Sequence, residues 1–249
     1  MWQRLDVEEQ VQPKDPVLIV SVSTSMPQYR ELYSQARELA EFMLRKMNFR
    51  RFASLYSSAF PPACLIREDG TAGLVSDRFY YCPGKRDMIL LAGDSSPTDD
   101  QHGFSDSVLS YAKVLGVKEF FSIGTRWTEQ PISPLEVPKV LGFSTDVKGI
   151  RDLEASGVQI IRDEPAPFFA SLIVGRAQLF GMRGYKLSVN HGEPLPHPKA
   201  LIEFLKVLSQ MIGFKVDTSE LEEQSRVMQE MLTSSSEGEP RPRRDGIYH

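Results

Sequence analysis

The chain is poor in cysteine, tryptophan and histidine, with two, two and four of each in 249 residues. Two cysteines cannot build a disulfide framework. Cys64 and Cys82 lie 82 − 64 = 18 residues apart with no Cys-x-x-Cys, so neither zinc nor dithiol chemistry is indicated. Both read as small buried hydrophobes. No stretch reaches the roughly 18–20 apolar residues of a membrane span. The start, Met1-Trp2-Gln3-Arg4-Leu5-Asp6, lacks the basic opening and apolar run of a signal peptide. Positive charge is not in excess either: 29 Lys+Arg against 33 Asp+Glu leave a net charge of −4, which argues against a dedicated nucleic-acid binder. A cytoplasmic protein with neither a membrane nor a nucleic-acid partner is expected.

Familiar catalytic signatures are missing as well. No Gly-x-Gly-x-x-Gly follows the first strand, and there is no phosphate loop ending in Gly-Lys-Ser/Thr and no Gly-x-Ser-x-Gly elbow. His191-Gly192-Glu193 imitates half of a zinc-deaminase signature, but the Pro-Cys-x-x-Cys half is absent. His191, Glu193 and His197 are spaced by prolines in a way that fits no common ligand pattern, so a loop role is expected and no metal is assigned.

What is present is an ordinary globular composition, 41% hydrophobic and 25% charged, enough to bury a sizeable core. Val17 to Val22 reads as a buried strand. Thr24 or Ser25 can cap a helix whose Tyr29, Leu32, Tyr33, Ala36, Leu39, Ala40, Met43 and Met47 recur at spacings of 3 and 4. Phe49–Tyr56 looks extended. Phe79-Tyr80-Tyr81 and Met88–Ala92 read as strands joined through Pro83-Gly84-Lys85, the second apolar on both faces as a central strand requires. Ser105 or Asp106 begins a helix that Gly116 closes. Val117–Ile123 is a strand, with Gly124-Thr125-Arg126-Trp127 as the loop after it. Val140–Phe143 and Val158–Ile161 flank a short helix over Gly149–Ala155. Phe168–Leu179 fits either a buried helix or irregular chain, and Tyr185–Val189 is a late strand. Pro198 opens a helix that ends at Gly213, and Ser219 with Glu222 forms a capping-box pattern for the last one. That last helix has a thin apolar stripe, Leu221, Met228, Met231 and Leu232, suited to a peripheral element or to packing on a partner.

Alternating strands and helices indicate an α/β fold. The expected layout is an N-terminal extension over 1–15, one α/β domain over 16–232 ending in two helices, and a flexible polar tail over 233–249. In such folds, ligands gather at strand-end loops. Thr24 and Ser25 after the first strand, and Thr125 and Arg126 after a later one, could hold an anion, although hydroxyls also cap helices and Arg also pairs with carboxylates. The tail is sharper. Thr233–Asp245 carries no apolar residue, yet the chain closes on Gly246-Ile247-Tyr248-His249. Ile247 and Tyr248 beside the His249 carboxylate have the chemistry of a docking peptide on a flexible tether.

Several segments, in order, resemble the proteasome-assembly-chaperone family, specifically its second-chaperone type of archaea and many bacteria. They are Tyr56-Ser57-Ser58-Ala59-Phe60-Pro61-Pro62, Glu68-Asp69-Gly70, Phe79-Tyr80-Tyr81 and Arg86-Asp87-Met88-Ile89-Leu90-Leu91-Ala92-Gly93-Asp94-Ser95-Ser96-Pro97. They continue with Ala112 to Glu119, Ser122-Ile123-Gly124, Pro198-Lys199-Ala200 and Val216 to Leu221. The resemblance spans about residues 16–232. It implies a three-layer α/β/α sandwich with a mixed, largely parallel sheet, similar in topology to nucleoside phosphorylases. It also implies a homo-oligomer with no established catalytic activity and no cofactor. In relatives, a C-terminal hydrophobic-Tyr-any tripeptide docks between proteasome α-subunits, and Ile247-Tyr248-His249 matches that pattern. Two departures concern loops: no Gly occurs in Ser23-Thr24-Ser25-Met26-Pro27, and Thr125-Arg126-Trp127 follows Gly124 where a second Gly is usual. Such loops approach a ligand less closely. The expected function is non-enzymatic assembly or interaction work; the alternative is a phosphorylase- or hydrolase-like enzyme acting on a nucleoside-like compound.

Overall fold

A computed structural model describes residues 2–22, 34–127, 136–191 and 196–236. In chain order the elements are β1 (Gln3–Val7), β2 (Val17–Ser21), α1 (Gln35–Lys46), β3 (Arg50–Ser57), β4 (Cys64–Ile66), β5 (Ala72–Leu74), β6 (Asp77–Cys82), β7 (Met88–Gly93) and α2 (Gln101–Val114). They continue with β8 (Glu119–Trp127), β9 (Val140–Ser144), α3 (Val147–Ala155), β10 (Gln159–Ile160), α4 (Phe169–Arg176), a 3-10 turn (Ala177–Phe180), β11 (Arg183–His191), α5 (Pro198–Ile212) and α6 (Ser219–Ser236). Nine strands form one sheet in the order β1-β3-β6-β7-β2-β8-β11-β9-β10, and β4–β5 is a separate hairpin.

The middle of the sheet is parallel. β2 pairs with β7 on one side and β8 on the other, and β11 continues in parallel beyond β8. Antiparallel pairings lie outside this centre, at β1–β3, β3–β6, β6–β7 and β9–β11. A parallel strand buried on both faces needs an unbroken apolar run. Val17-Leu18-Ile19-Val20 meets that need, and its alternation sends Val17 and Ile19 to one face and Leu18 and Val20 to the other. The first face is covered by α1 and α5, with Leu39, Met43, Phe204 and Leu208 in its core. The second is covered by α2 and α4 through Phe104, Val108, Phe169 and Ile173. Helices on both faces of a mixed sheet make the expected three-layer α/β/α arrangement.

Local chemistry sets the helix ends. The Ser34 hydroxyl accepts the Arg37 amide at 3.4 Å, and Asp146 accepts the Gly149 amide at 2.6 Å. α2 starts ahead of the expected Ser105 or Asp106, because Asp100 caps it by accepting the Gly103 amide at 2.9 Å. Gly116 and Gly213, both with positive φ, close α2 and α5 as the sequence predicts. The α6 capping box does not form. Ser219 is already the first helical residue, Asp217 accepts its amide at 3.0 Å, and Thr218 donates its hydroxyl to Glu222 at 3.0 Å.

Further differences follow from pairing. Residues 3–7, expected in an extension, form an edge strand on β3. Gly124-Thr125-Arg126-Trp127, expected as a loop, continues β8, because β11 runs alongside it as far as Trp127. Phe168–Leu179 resolves into α4 and the 3-10 turn. Cys82 is buried as expected, but Cys64 is exposed on the β4–β5 hairpin.

Candidate functional site

β2, β7, β8 and β11 run parallel, so their C-terminal ends share one edge of the sheet. That edge is where open α/β sheets receive ligands. Antiparallel β6 begins there, and its first residue, Asp77, sits opposite Gly93 at the end of β7. Asp77 is fully buried, and no side chain hydrogen-bonds either carboxyl oxygen. The carboxyl lies against the Gly93 α-carbon so closely that a Cβ there would sit 1.5 Å from Oδ1. Burial pushes its pKa well above the ordinary value, the nearby Asp94 charge adds to this, and Arg78 opposes it. Asp77 therefore holds its proton more tightly than an ordinary carboxyl, inside the second core. Its neighbour Asp94 carries the local charge, accepting from Arg78 at 2.7 Å and from the Ser76 amide at 3.3 Å.

A second buried ionisable group lies on the same face, across the sheet. Lys186 of β11 is 5% exposed, and its Nζ donates to the Leu187 carbonyl at 2.9 Å. Gly124 of β8 makes room for it, since a Cβ there would stand 2.5 Å from Nζ. Burial lowers its pKa from 10.5 to about 7. Close by, the Ser122 hydroxyl donates to the Ala170 carbonyl at 2.6 Å, tying β8 to α4. β7, β2 and β8 separate β6 from β11. At the usual strand spacing that puts Asp77 and Lys186 about 19 Å apart, too far to pair. Neither was predicted as a site residue. The available signal was a charged residue at an inward position of an otherwise apolar strand.

Of the predicted anion binders, Thr125 and Arg126 lie within β8. Arg126 forms a two-pronged pair with Glu164, at 2.5 and 3.0 Å. Thr24 and Ser25 lie outside the described residues, as do Ile247, Tyr248 and His249. His197 is buried at the start of α5, and no group of three metal-ligating side chains occurs among the described residues.

The opposite edge holds a cleft of about 640 Å³ lined by Arg86, Glu119, Asp146 and Arg183. Its charges form a chain. Arg86 meets Asp15 at 3.6 Å and Glu119 at 2.9 Å; Arg183 meets Glu119 at 2.8 Å and Asp146 at 2.8 Å. Alternating partners neutralise one another, so the chain clamps the beginnings of β8 and β11 together.

α6 leaves the body at the C-terminal end of the described chain. Leu221 is buried in the first core, and Glu220 pairs with Arg45 at 2.9 Å and Lys46 at 2.7 Å. Further along, Val227, Met231 and Leu232 are exposed, and Arg226 pairs within the helix with Glu223 and Glu230, each at 2.6 Å. No helix among the described residues is long and apolar enough to cross a membrane.

The chain is 22% identical over 200 residues to an uncharacterised protein of Methanocaldococcus jannaschii, covering 79% of this chain and 76% of that one. Its fold is similar to the crystal structure of Pyrococcus furiosus PbaB, an archaeal proteasome activator, with a TM-score of 0.78 at 23% identity, over 94% of this chain and 98% of PbaB. It is also similar to P. furiosus PbaA, an archaeal homologue of a proteasome-assembly chaperone, with a TM-score of 0.70 at 19% identity over 94% and 92% of the two chains. A Mycobacterium tuberculosis proteasome-assembly chaperone homologue matches with a TM-score of 0.74 at 17% identity, over 90% of this chain and 97% of that one. The model of the PAC2 family matches residues 36–234, from α1 to the last turn of α6, and with these two helices and the sheet between them the chain belongs to the PAC2 family.

Proposed function

We propose that this protein is a non-enzymatic, cytoplasmic assembly chaperone or activator that self-associates and docks on a proteasome-like ring through Ile247-Tyr248-His249. The observation that carries the reading is this hydrophobic-Tyr-any tripeptide on a PAC2-family body. Two similar folds belong to proteins described as an archaeal proteasome activator and an archaeal homologue of a proteasome-assembly chaperone, which supports a ring of proteasome α-type subunits as the partner. Tyr248 suits a docking pocket because its ring buries area while its hydroxyl keeps a hydrogen bond. The polar residues from Thr233 to Asp245 supply reach, and several tails on one oligomer raise the effective concentration of each tip.

The alternative of an enzyme acting on a nucleoside-like compound draws little from the strand-end edge. Arg126, its anion binder, is engaged by Glu164. Asp77 and Lys186 are both buried and far apart.

The test is retention of purified proteasome α-ring by the immobilised full chain, by a chain ending at Gly246, and by Tyr248→Ala. Binding by the full chain and its loss in both variants is expected. Equal retention by all three would sink the tail mechanism.

A further inference from the structure

The most exposed large apolar side chains among the described residues all lie at the edge where β2, β7, β8 and β11 begin. They are Val114 at 81%, Leu179 at 73% and Val147 at 69%. Val114 ends α2, Leu179 lies in the 3-10 turn packed beside that helix, and Val147 opens α3. All three border the cleft that holds Glu119. Gln178 and Asp146, their chain neighbours, line it, and Val114 leads into Lys118, which lines it too. Exposed apolar residues scattered singly are ordinary, but grouped around one cleft they mark an interaction surface.

Charge sets the partner. Lys14 and Lys85 precede β2 and β7, Lys113 lies in the last turn of α2, Lys118 precedes β8 and Lys148 lies in the first turn of α3. All five are exposed, and the ion pairs of this edge use arginine instead. The acids there are already engaged. Glu119 and Asp146 are held by Arg86 and Arg183, and buried Asp87 accepts the Tyr81 hydroxyl at 2.8 Å and the Lys14 amide at 2.7 Å. Asp15 is the acid left exposed, 3.6 Å from Arg86. The rim is therefore cationic on a chain whose net charge is −4. A second copy would set lysine against lysine, and like charges brought together at an interface are costly. A nucleic-acid backbone would meet Glu119 and Asp146 inside the cleft and leave the three apolar side chains unused.

We propose that this edge, with Val114, Val147 and Leu179 as apolar anchors inside a fringe of lysines, is a docking surface for an acidic, apolar-containing segment of another protein. Carboxylates of that segment meet the lysine fringe and steer its approach, and its apolar residues cover the anchors. The surface is separate from the C-terminal tripeptide, and the inference does not rest on tail docking.

Fluorescence anisotropy of the full chain with a labelled peptide of alternating Glu and Leu tests this. The comparison probes are a Lys/Leu peptide, an all-Glu peptide and a single-stranded oligonucleotide. The Glu/Leu peptide should bind most tightly and weaken as salt is raised. Lys118→Glu and Leu179→Ser should each weaken it by about tenfold, the loss of one interface anchor. Lys139→Glu makes the same charge change ahead of β9, at the opposite edge of the sheet, and should leave binding unchanged. All three positions are exposed, and circular dichroism with melting confirms that the variants fold. Failure of the Glu/Leu peptide to bind, equal or tighter binding of any comparison probe, full binding by Leu179→Ser, or equal losses in Lys118→Glu and Lys139→Glu would overturn the proposal.

Discussion

At the scale of single residues, Asp77 and Lys186 give this protein opposite pH signatures. The Lys186 amine loses its proton near pH 7 in the folded state, against an ordinary 10.5. Between those values the unfolded chain binds more protons, so stability rises with pH by up to about 1.4 kcal/mol per unit from this group. Lys186→Met should remove that contribution and melt higher than the parent at pH 7, with the two curves converging towards pH 10.5. A parallel decline of both proteins across this range would contradict the assignment. Asp77 behaves in the other sense. Its folded pKa is raised, so the folded state retains a proton that the unfolded state releases above 3.8, and stability falls as pH rises through that window. Asp77→Asn has no proton to release and should lose this fall; thermal melts from pH 3.5 upward would show it. The glycines facing these groups are equally specific. A Cβ at Gly93 would collide with Asp77 side chain and backbone alike, at 1.5 Å from Oδ1 and 2.9 Å from Cα. Gly93→Ala should cost about 1–3 kcal/mol or more, the range for overpacking a close-packed core, read as a drop in Tm.

At the scale of elements, the sequence rules held where a feature depends on its own neighbours. Gly116 and Gly213 stop their helices, and the apolar periodicity of α1 and α5 gives their inward faces. They slipped where a residue outside the pattern intervened. Asp100 starts α2 early, and its positive φ of 30° is tolerated because its carboxylate holds the Gly103 amide. Asp146 carries two duties, capping α3 at Gly149 and pairing with Arg183 at 2.8 Å. Asp146→Ala should therefore cost more than the typical cap loss of about 1 kcal/mol. Asp146→Asn retains a capping oxygen and should recover part of it. Equal destabilisation by the two variants, measured by urea unfolding, would show that the cap contributes nothing.

At the scale of the whole molecule, Leu221 is the last buried residue of the described core. A chain ending at Ser236 should melt with the full protein within about a degree while losing ring binding; a large fall in Tm would mean that the tail stabilises the body. The three-layer arrangement came with the family resemblance, and the α/β class was legible in the sequence because apolar runs and their periods are local properties. So was the family, because its motifs are short and ordered. Sheet order was not legible, since pairing of β2 with both β7 and β8 is settled by competition among all strands for partners. For the same reason β1 was read as an extension, and β8 was expected to stop before Gly124. What the sequence determined by itself was composition, periodicity, helix stops and the tripeptide Ile247-Tyr248-His249 on its polar tether. Only the tertiary structure decided that Asp77 rests on Gly93, that Lys186 rests on Gly124, and that Arg126 meets Glu164. Such meetings join residues distant in the chain, and their burial and charge states exist only once the sheet has assembled and excluded water.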